Sequence, residues 1–493
     1  MAVSSSIIVE TSFGRLKGKN VNDVCCFSKV PYAEPAIGSN RFKLPQSPDC
    51  WNGIYDATGV GSVPPQPPSG TSAVMGAYPM PQDENCLHLD IWSPGTINVP
   101  KPVLVFIHGG AFMTGGGSLS CYDGHMLARN TGMVVVNISY RLGPLGFLAQ
   151  PDLAPPNLGI HDQIAALKWI QHTIGSFGGD PDNITVAGQS AGAYCVAVML
   201  ANTSCRGLFH RAILMSPPLG MKLSRAEQAK PLAAAMLRVL GFDSKEINRL
   251  QELPVDQLMK ALKLLQAQPA TSTIPGEFSL PFTPVLDDEL IACDPLDAIK
   301  DGAGAWCDTL IGAAREEFNA FSFQNPVFMQ LTEAQLQQEF ERSYGEKGPY
   351  KLAAAHAARV PSTPGQLLSD LRGDDIFNQP VMEFADAQGK HGSKSYLYQF
   401  DWQSPVQGIG ACHCIDLPFL FGRWDIWQAA PMLNGANEQE LQDLSDLFQG
   451  ALTEFARTGN PNNKGLPVWP EYGGERVRLH FDRRIQFQMC SFS

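Results

Sequence analysis

The chain predicts an α/β fold built on a largely parallel central sheet covered by helices, and three observations lead there. Short Val/Ile/Leu-rich runs recur along the sequence. Longer segments between them carry apolar residues at helical spacing. Several of the short runs are apolar almost throughout, as strands are when helices cover both faces of a sheet.

In chain order the strand-like runs are "LHLDIW" (87–92), "VLVFIHGG" (103–110), "MVVVNISY" (133–140), "NITVAG" (183–188), "RAILMSP" (211–217), "TLIGAA" (309–314) and "SYLYQFDW" (395–402). "DQIAALKWIQHTIGSF" is typical of the helical segments between them. Two helix-rich blocks, about 223–267 and 332–388, are too long for simple crossovers and read as insertions over one sheet edge, covering a pocket. Within the first, Asp243 and Glu246 have the spacing of a capping box. The Pro/Gly/Ser-rich stretch 63–82 reads as a long surface loop. Residues 1–493 are expected to form a single domain, because α/β enzymes with one sheet reach this length.

Composition excludes some functions. A net charge of -12 without any basic run is the wrong sign for a phosphate backbone, so no nucleic-acid partner is expected. No stretch approaches the roughly 18 consecutive apolar residues of a membrane helix. The N-terminal "MAVSSSIIVETSFGRLKG" lacks a basic region and a long apolar run, so it does not read as a signal peptide. Twelve cysteines in 493 residues are too sparse for a disulfide framework. Free thiols in the cytoplasm are the economical reading. No feature speaks to oligomeric state.

The chemistry concentrates at Gly188-Gln189-Ser190-Ala191-Gly192. A G-x-S-x-G stretch between a β-branched strand and a helical run is a sharp corner that lifts its serine above the sheet. The serine needs a base, and the base needs an acid to orient it. In this arrangement the order is serine, acid, histidine. His356, His391, His413 and His480 leave room for an acid after Ser190. His356 reads as mid-helix, His480 as part of a strand, and His391 as part of a polar turn. His413 lies in "GIGACHCIDLPF", a Gly-rich loop after the strand at 395–402, and is favoured. The turn after "TLIGAA" supplies two candidate acids, Glu316 and Glu317. Oxyanion donors are expected from the amide of Ala191 and from the glycine loop that opens at His108-Gly109-Gly110. His108 precedes the serine and reads as structural. Cys412-His413-Cys414, with Cys25-Cys26, is a poor zinc site because adjacent residues do not converge easily on one ion. Neither a metal nor a cofactor is expected.

These motifs resemble the type-B carboxylesterase family, which includes para-nitrobenzyl esterases and cholinesterases. The likeness runs through "FGRLKG", "RFKLP", "ENCLHLDIW", "HGGAF", "YRLGPLGFL", "GIHDQIAALKWIQ", "FGGDP" and "GQSAG" to "FARTGNPN" and "WPEY". The resemblance implies an α/β-hydrolase fold and a serine carboxylesterase acting on small-molecule esters. It implies Ser190 as nucleophile, His413 as base and Glu317, the second acid of "G-x-x-x-D/E-E", as the third member, with Glu316 the runner-up. Gly109, Gly110 and Ala191 match its oxyanion positions. Phe278, Leu280 and Phe282 match its acyl pocket, with Gln189, Phe112 and Met113 beside it; for these, core packing is an equal reading. Gln189 stands where cholinesterases carry glutamate, and "MGAYPMPQDENC" has no tryptophan to stack on a quaternary ammonium. Small, neutral, largely apolar esters are therefore expected, since the matched residues offer no basic clamp. Secreted relatives pair the cysteine matching Cys86 with one upstream, where this chain reads "GSVPPQPPSG". A carbamate or aryl-amide hydrolase with the same machinery is the alternative. A non-catalytic binding protein on this fold is the other.

Overall fold

The structure, a computed structural model, describes residues 4–97, 99–267, 280–473 and 476–489. Thirteen strands form one sheet: β1 (Ser4–Thr11), β2 (Gly14–Val21), β3 (Val24–Pro31), β4 (Ile54–Asp56), β5 (His88–Pro94), β6 (Lys101–Ile107), β7 (Val134–Ile138), β8 (Gly179–Gln189), β9 (Arg211–Met215), β10 (Asp308–Ala314), β11 (Ser395–Phe400), β12 (Val477–Phe481) and β13 (Gln486–Met489). Their order is β1-β2-β3-β5-β7-β6-β8-β9-β10-β11-β12-β13, with β4 beside β2. Every pairing from β7 through β6, β8, β9, β10 and β11 to β12 is parallel. Antiparallel strands extend both ends of this run.

Side chains alternate across a strand, so each apolar run feeds two cores. Val103, Val105 and Ile107 enter one core while Leu104 and Phe106 enter the other. Ala212 and Leu214 divide from Ile213 and Met215 in the same way. The helices Leu158–Thr173, Ala191–Ala201 and Gln379–Lys390 pack on the first face. Leu417–Phe421 and Glu438–Thr458 pack on the second. In Glu438–Thr458, Leu441, Leu444, Phe448, Leu452 and Phe455 recur at helical spacing on the buried side. Asn437 caps its start through the Glu440 N–H, and Gly459 ends it at φ 81°.

The helices between residues 226 and 266 join the first core through Met236, Leu237, Leu250 and Leu258. Arg41 ties them down, pairing with Glu84 while donating to the carbonyls of Leu250, Gln251 and Leu253. Asp243 and Glu246 do not form a capping box there. The Asp243 carboxylate instead accepts the Lys245 N–H at 2.9 Å, closing a local turn. The helices Glu333–Tyr344, Gly348–Ala358 and Pro364–Gly373 form a third core with Phe318 and Phe377. The loop at 63–82 contains only the short helix Ser72–Met75. Arg141 and Asp162 form a buried fork at 2.7 and 2.8 Å. Arg141 also donates to the Lys43 carbonyl, which joins three segments.

Candidate active site

β8 ends at Gln189, and the helix Ala191–Ala201 starts one residue after Ser190. Between Ile184 and Leu200, Ser190 is the one residue that is not buried. Its backbone sits at φ 56°, ψ −124°, outside the regions that residues with a Cβ favour. The neighbouring strand holds this turn, because Ser190 N–H donates to the Met215 carbonyl at 2.8 Å. A Cβ on Gly188 would lie 2.5 Å from the Gly192 carbonyl carbon, and one on Gly192 would overlap the Ile107 carbonyl oxygen. The two glycines are therefore requirements of a tight corner.

The loop after β6 lies against the serine: a Cβ on Gly109 would stand 2.8 Å from Ser190 Cβ. Gly110 turns at φ 113°, and its carbonyl accepts N–H bonds from Met113 and Thr114. Among the described residues, the N–H groups of Gly109, Gly110 and Ala191 have no acceptor. His108 braces the loop through Nδ1, 2.8 Å from the Gly109 oxygen, with its ring stacked on Tyr140. Burial pulls its pKa down to about 4, so the ring is neutral.

Of the four candidate histidines, only His413 meets this corner. His356 bonds Ser362 and Glu333. His391 bonds the Lys300 carbonyl from an exposed turn. His480 forms a buried pair with Asp401, 2.5 Å from Nδ1 to Oδ2, in the correct chain order. It lies on β12, however, four strand spacings or roughly 19 Å from β8, and its Nε2 faces Arg478. His413 is buried, with Nε2 3.3 Å from the Gln189 amide nitrogen, next in the chain to Ser190. Ser190 Oγ makes no hydrogen bond of its own among the described residues.

Glu317 lies against the imidazole. Its Oε2 lies 2.5 Å from His413 Nδ1, and its Oε1 accepts the Ala314 N–H at 2.6 Å. Glu316 faces elsewhere, accepting from Arg359 at 2.6 Å and from the Ala411 N–H at 2.7 Å. Burial disfavours the imidazolium, but the adjacent Cys414 sulfur and Glu317 carboxylate outweigh it and raise the His413 pKa above the ordinary imidazole value. The rings of Phe377 and Phe321 lie 4.9 and 5.4 Å from the imidazole.

Comparison with known proteins shows the family. The carboxylesterase family model matches residues 5–489. The chain belongs to the carboxylesterase family. It is 36% identical to the para-nitrobenzyl esterase of Bacillus subtilis (strain 168) over 487 residues, covering 98% of this chain and 96% of the relative. Phenmedipham hydrolase of Pseudarthrobacter oxydans is 35% identical, over 94% of this chain and 92% of its own. A solved thermophilic PNB esterase superposes with a TM-score of 0.83 at 35% identity, covering 98% of both chains. The Geobacillus stearothermophilus carboxylesterase at pH 6.2 gives 0.85 at 33%, covering 98% and 97%. The fold is the α/β-hydrolase fold, and the protein is a carboxylic-ester hydrolase acting on small-molecule esters.

Some features of this carboxylesterase were not legible in its sequence. Phe321 and Phe377 come from separate helical segments, and nothing in their spacing marks them as neighbours of His413. Gln189, matched to the pocket, is buried and bonds His413 and Cys414. Phe112, Met113 and Phe282 are buried in the first core, and Leu280 is half-buried. Phe278 lies outside the described residues. Among the described residues no cluster of three or more His, Cys, Asp or Glu side chains could hold a metal ion, and no helix is long and apolar enough to cross a membrane.

Proposed function

We propose that Ser190 is the nucleophile, His413 the general base and acid, and Glu317 the residue that holds the imidazole, with Gly109, Gly110 and Ala191 binding the oxyanion. What supports this most is one convergence: an accessible hydroxyl on a strained turn, three amides without acceptors beside it, and a His–Glu pair one residue away. Ser190 Oγ attacks the ester carbonyl while its proton passes to His413 Nε2. The carbonyl oxygen takes the negative charge and the three amides receive it, each such donor being worth about 3–4 kcal/mol of barrier. The tetrahedral adduct then collapses, breaking its bond to the alcohol oxygen, which takes the proton from Nε2 and departs, and the acyl group stays on Ser190 Oγ. Water, deprotonated by the same nitrogen, cleaves that acyl-serine to release the acid.

Small, neutral, largely apolar esters are the substrates, as the rings of Phe321 and Phe377 around the imidazole favour them. Phe112, Met113, Leu280 and Phe282 are proposed to shape the acyl side of the pocket. Residues 1–493 act as one domain, with the blocks at about 223–267 and 332–388 as insertions over the site. The compartment is the cytoplasm, a reading supported by Cys86 and ten other described cysteines being free.

The test is a panel of p-nitrophenyl esters, carbamates and anilides, with fluorophosphonate labelling and Ser190→Ala as control. Ester turnover is expected to lead the panel and to vanish with the label in the variant. Carbamate or anilide turnover well above ester turnover would reverse the substrate ranking. Absence of labelling in the parent enzyme would favour a binding protein.

A further inference from the structure

The imidazole of His413 has two nitrogens with unequal surroundings. Nδ1 carries its proton toward the Glu317 carboxylate at 2.5 Å, so in the neutral ring Nε2 presents a lone pair. The Gln189 amide nitrogen lies 3.3 Å from Nε2, where it is placed to donate to that lone pair whenever the ring is neutral. Its second hydrogen goes to Cys414 Sγ at 3.4 Å. With the ring neutral both neighbours accept, and the nitrogen end of the amide faces them. Gln189 is 1% exposed, and its Oε1 would lie 2.7 Å from a Cβ on Gly109, so the side chain is wedged between the oxyanion loop and the histidine. The nitrogen Gln189 engages is the one that must take the Ser190 proton.

We propose that Gln189 is a positioning residue that holds the resting imidazole through Nε2, so that Ser190 gains its base only as this amide lets go, and that Gln189 thereby sets the acid limb of the pH–rate profile. The inference rests on the triad assigned above. A donor on the lone pair stabilises the neutral ring and opposes protonation. The titratable groups around the ring are Glu317 on the loop after β10 and Cys412, Cys414 and Asp416 on its own loop, while the turn with Phe377 also carries Asp374 and Asp375. Glu317 and Cys414 raise the proton affinity of His413; Gln189 works against them.

The experiment measures kcat/KM for p-nitrophenyl butyrate from about pH 5 to pH 9 in the parent, Gln189→Met and Gln189→Glu. Rates are normalised to active sites by the p-nitrophenol burst. Methionine keeps the length but donates nothing, so the acid-limb midpoint should rise by about half to one pH unit, a roughly three- to tenfold gain in proton affinity. Glutamate places a carboxylate beside the imidazolium and should raise it further. Both shifts should persist in Asp416→Asn and Asp374→Asn backgrounds, which remove in turn the two neighbouring carboxyls that burial raises into this window. Midpoints that stay put or fall would overturn the inference. If Gln189→Met does not fold, Gln189→Glu decides alone. Fluorophosphonate labelling of Ser190 in the parent separates the two failures: a labelled serine with unmoved midpoints sinks only the role of Gln189, whereas an unlabelled one sinks the triad.

Discussion

The Glu316 carboxylate accepts the Ala411 backbone N–H at 2.7 Å, two residues before His413. The Glu316 N–H donates back to the Ala411 carbonyl at 2.9 Å, so the acid pins the loop that carries the imidazole. Glu317, next in the chain, holds the ring itself. Adjacent carboxylates thus do different work, and substitution should separate them. Glu317→Gln cannot accept the Nδ1 proton as a carboxylate does, and kcat for a p-nitrophenyl ester should fall by about 10³–10⁴. Glu316→Gln loses its ion pair with Arg359 and should lower the unfolding free energy, read by urea titration, by about 1–3 kcal/mol while costing less than about tenfold in kcat. The reverse order of activities would reassign the acid.

A methyl group at Gly192 has nowhere to go, since it would overlap the Ile107 carbonyl. Gly192→Ala should destabilise by about 1–3 kcal/mol and shift the corner enough to depress kcat. Urea denaturation and steady-state kinetics on one preparation check both. An unaltered midpoint would mean that β6 and the helix Ala191–Ala201 are less closely opposed than described.

Arg141 and Asp162 are both nearly sealed from solvent, with side-chain exposures of 3% and 0%. Removing one member strands the other without compensation. Arg141→Met should therefore cost about 3–5 kcal/mol by equilibrium denaturation. A double variant, Arg141→Met with Asp162→Leu, should recover part of that loss.

Asp416 is fully buried; Tyr398 Oη lies 3.2 Å from one of its oxygens, and the other oxygen has no partner among the described residues. Burial and the neighbouring Glu317 raise its pKa to about 7. A carboxyl whose folded pKa exceeds its unfolded value favours folding while protonated. That contribution is full at acid pH and lost as the pH climbs from about 4 to about 7. Asp416→Asn does not ionise, so its stability relative to the parent should improve between pH 5 and pH 8, by an amount on the order of 3 kcal/mol. Parallel urea midpoints for the two proteins across that range would refute the buried-acid reading.

Much of this architecture was legible in the sequence, and the reasons are local. The runs at 103–110 and 133–140 became β6 and β7 because Val and Ile at successive positions suit a strand packed on both faces. The corner at Ser190 was legible because its glycines answer a steric demand within five residues. The N-terminal strands β1, β2 and β3 escaped notice; the cue was the Asn22-Asp23 turn, where both residues adopt positive φ between paired Val21 and Val24. The Asp401–His480 pair shows why chain order alone could not choose a histidine: it satisfies the order, and strand spacing alone removes it. Gln189 was matched to a pocket because nothing in its sequence neighbourhood reveals that a loop more than 200 residues later lays a ring against it.

The run of parallel neighbours from β7 to β12 has a consequence for how the polypeptide reaches its native state. No two adjacent members can zip together through a tight turn, so each pairing waits on closure of a long intervening segment. β12 follows every other member of this run in the sequence, so the run completes only after all of them have been synthesised. Until then β11 offers an unpaired apolar edge to other nascent chains. Slower synthesis at lower temperature, or added chaperones, should raise the yield of active enzyme without altering its specific activity.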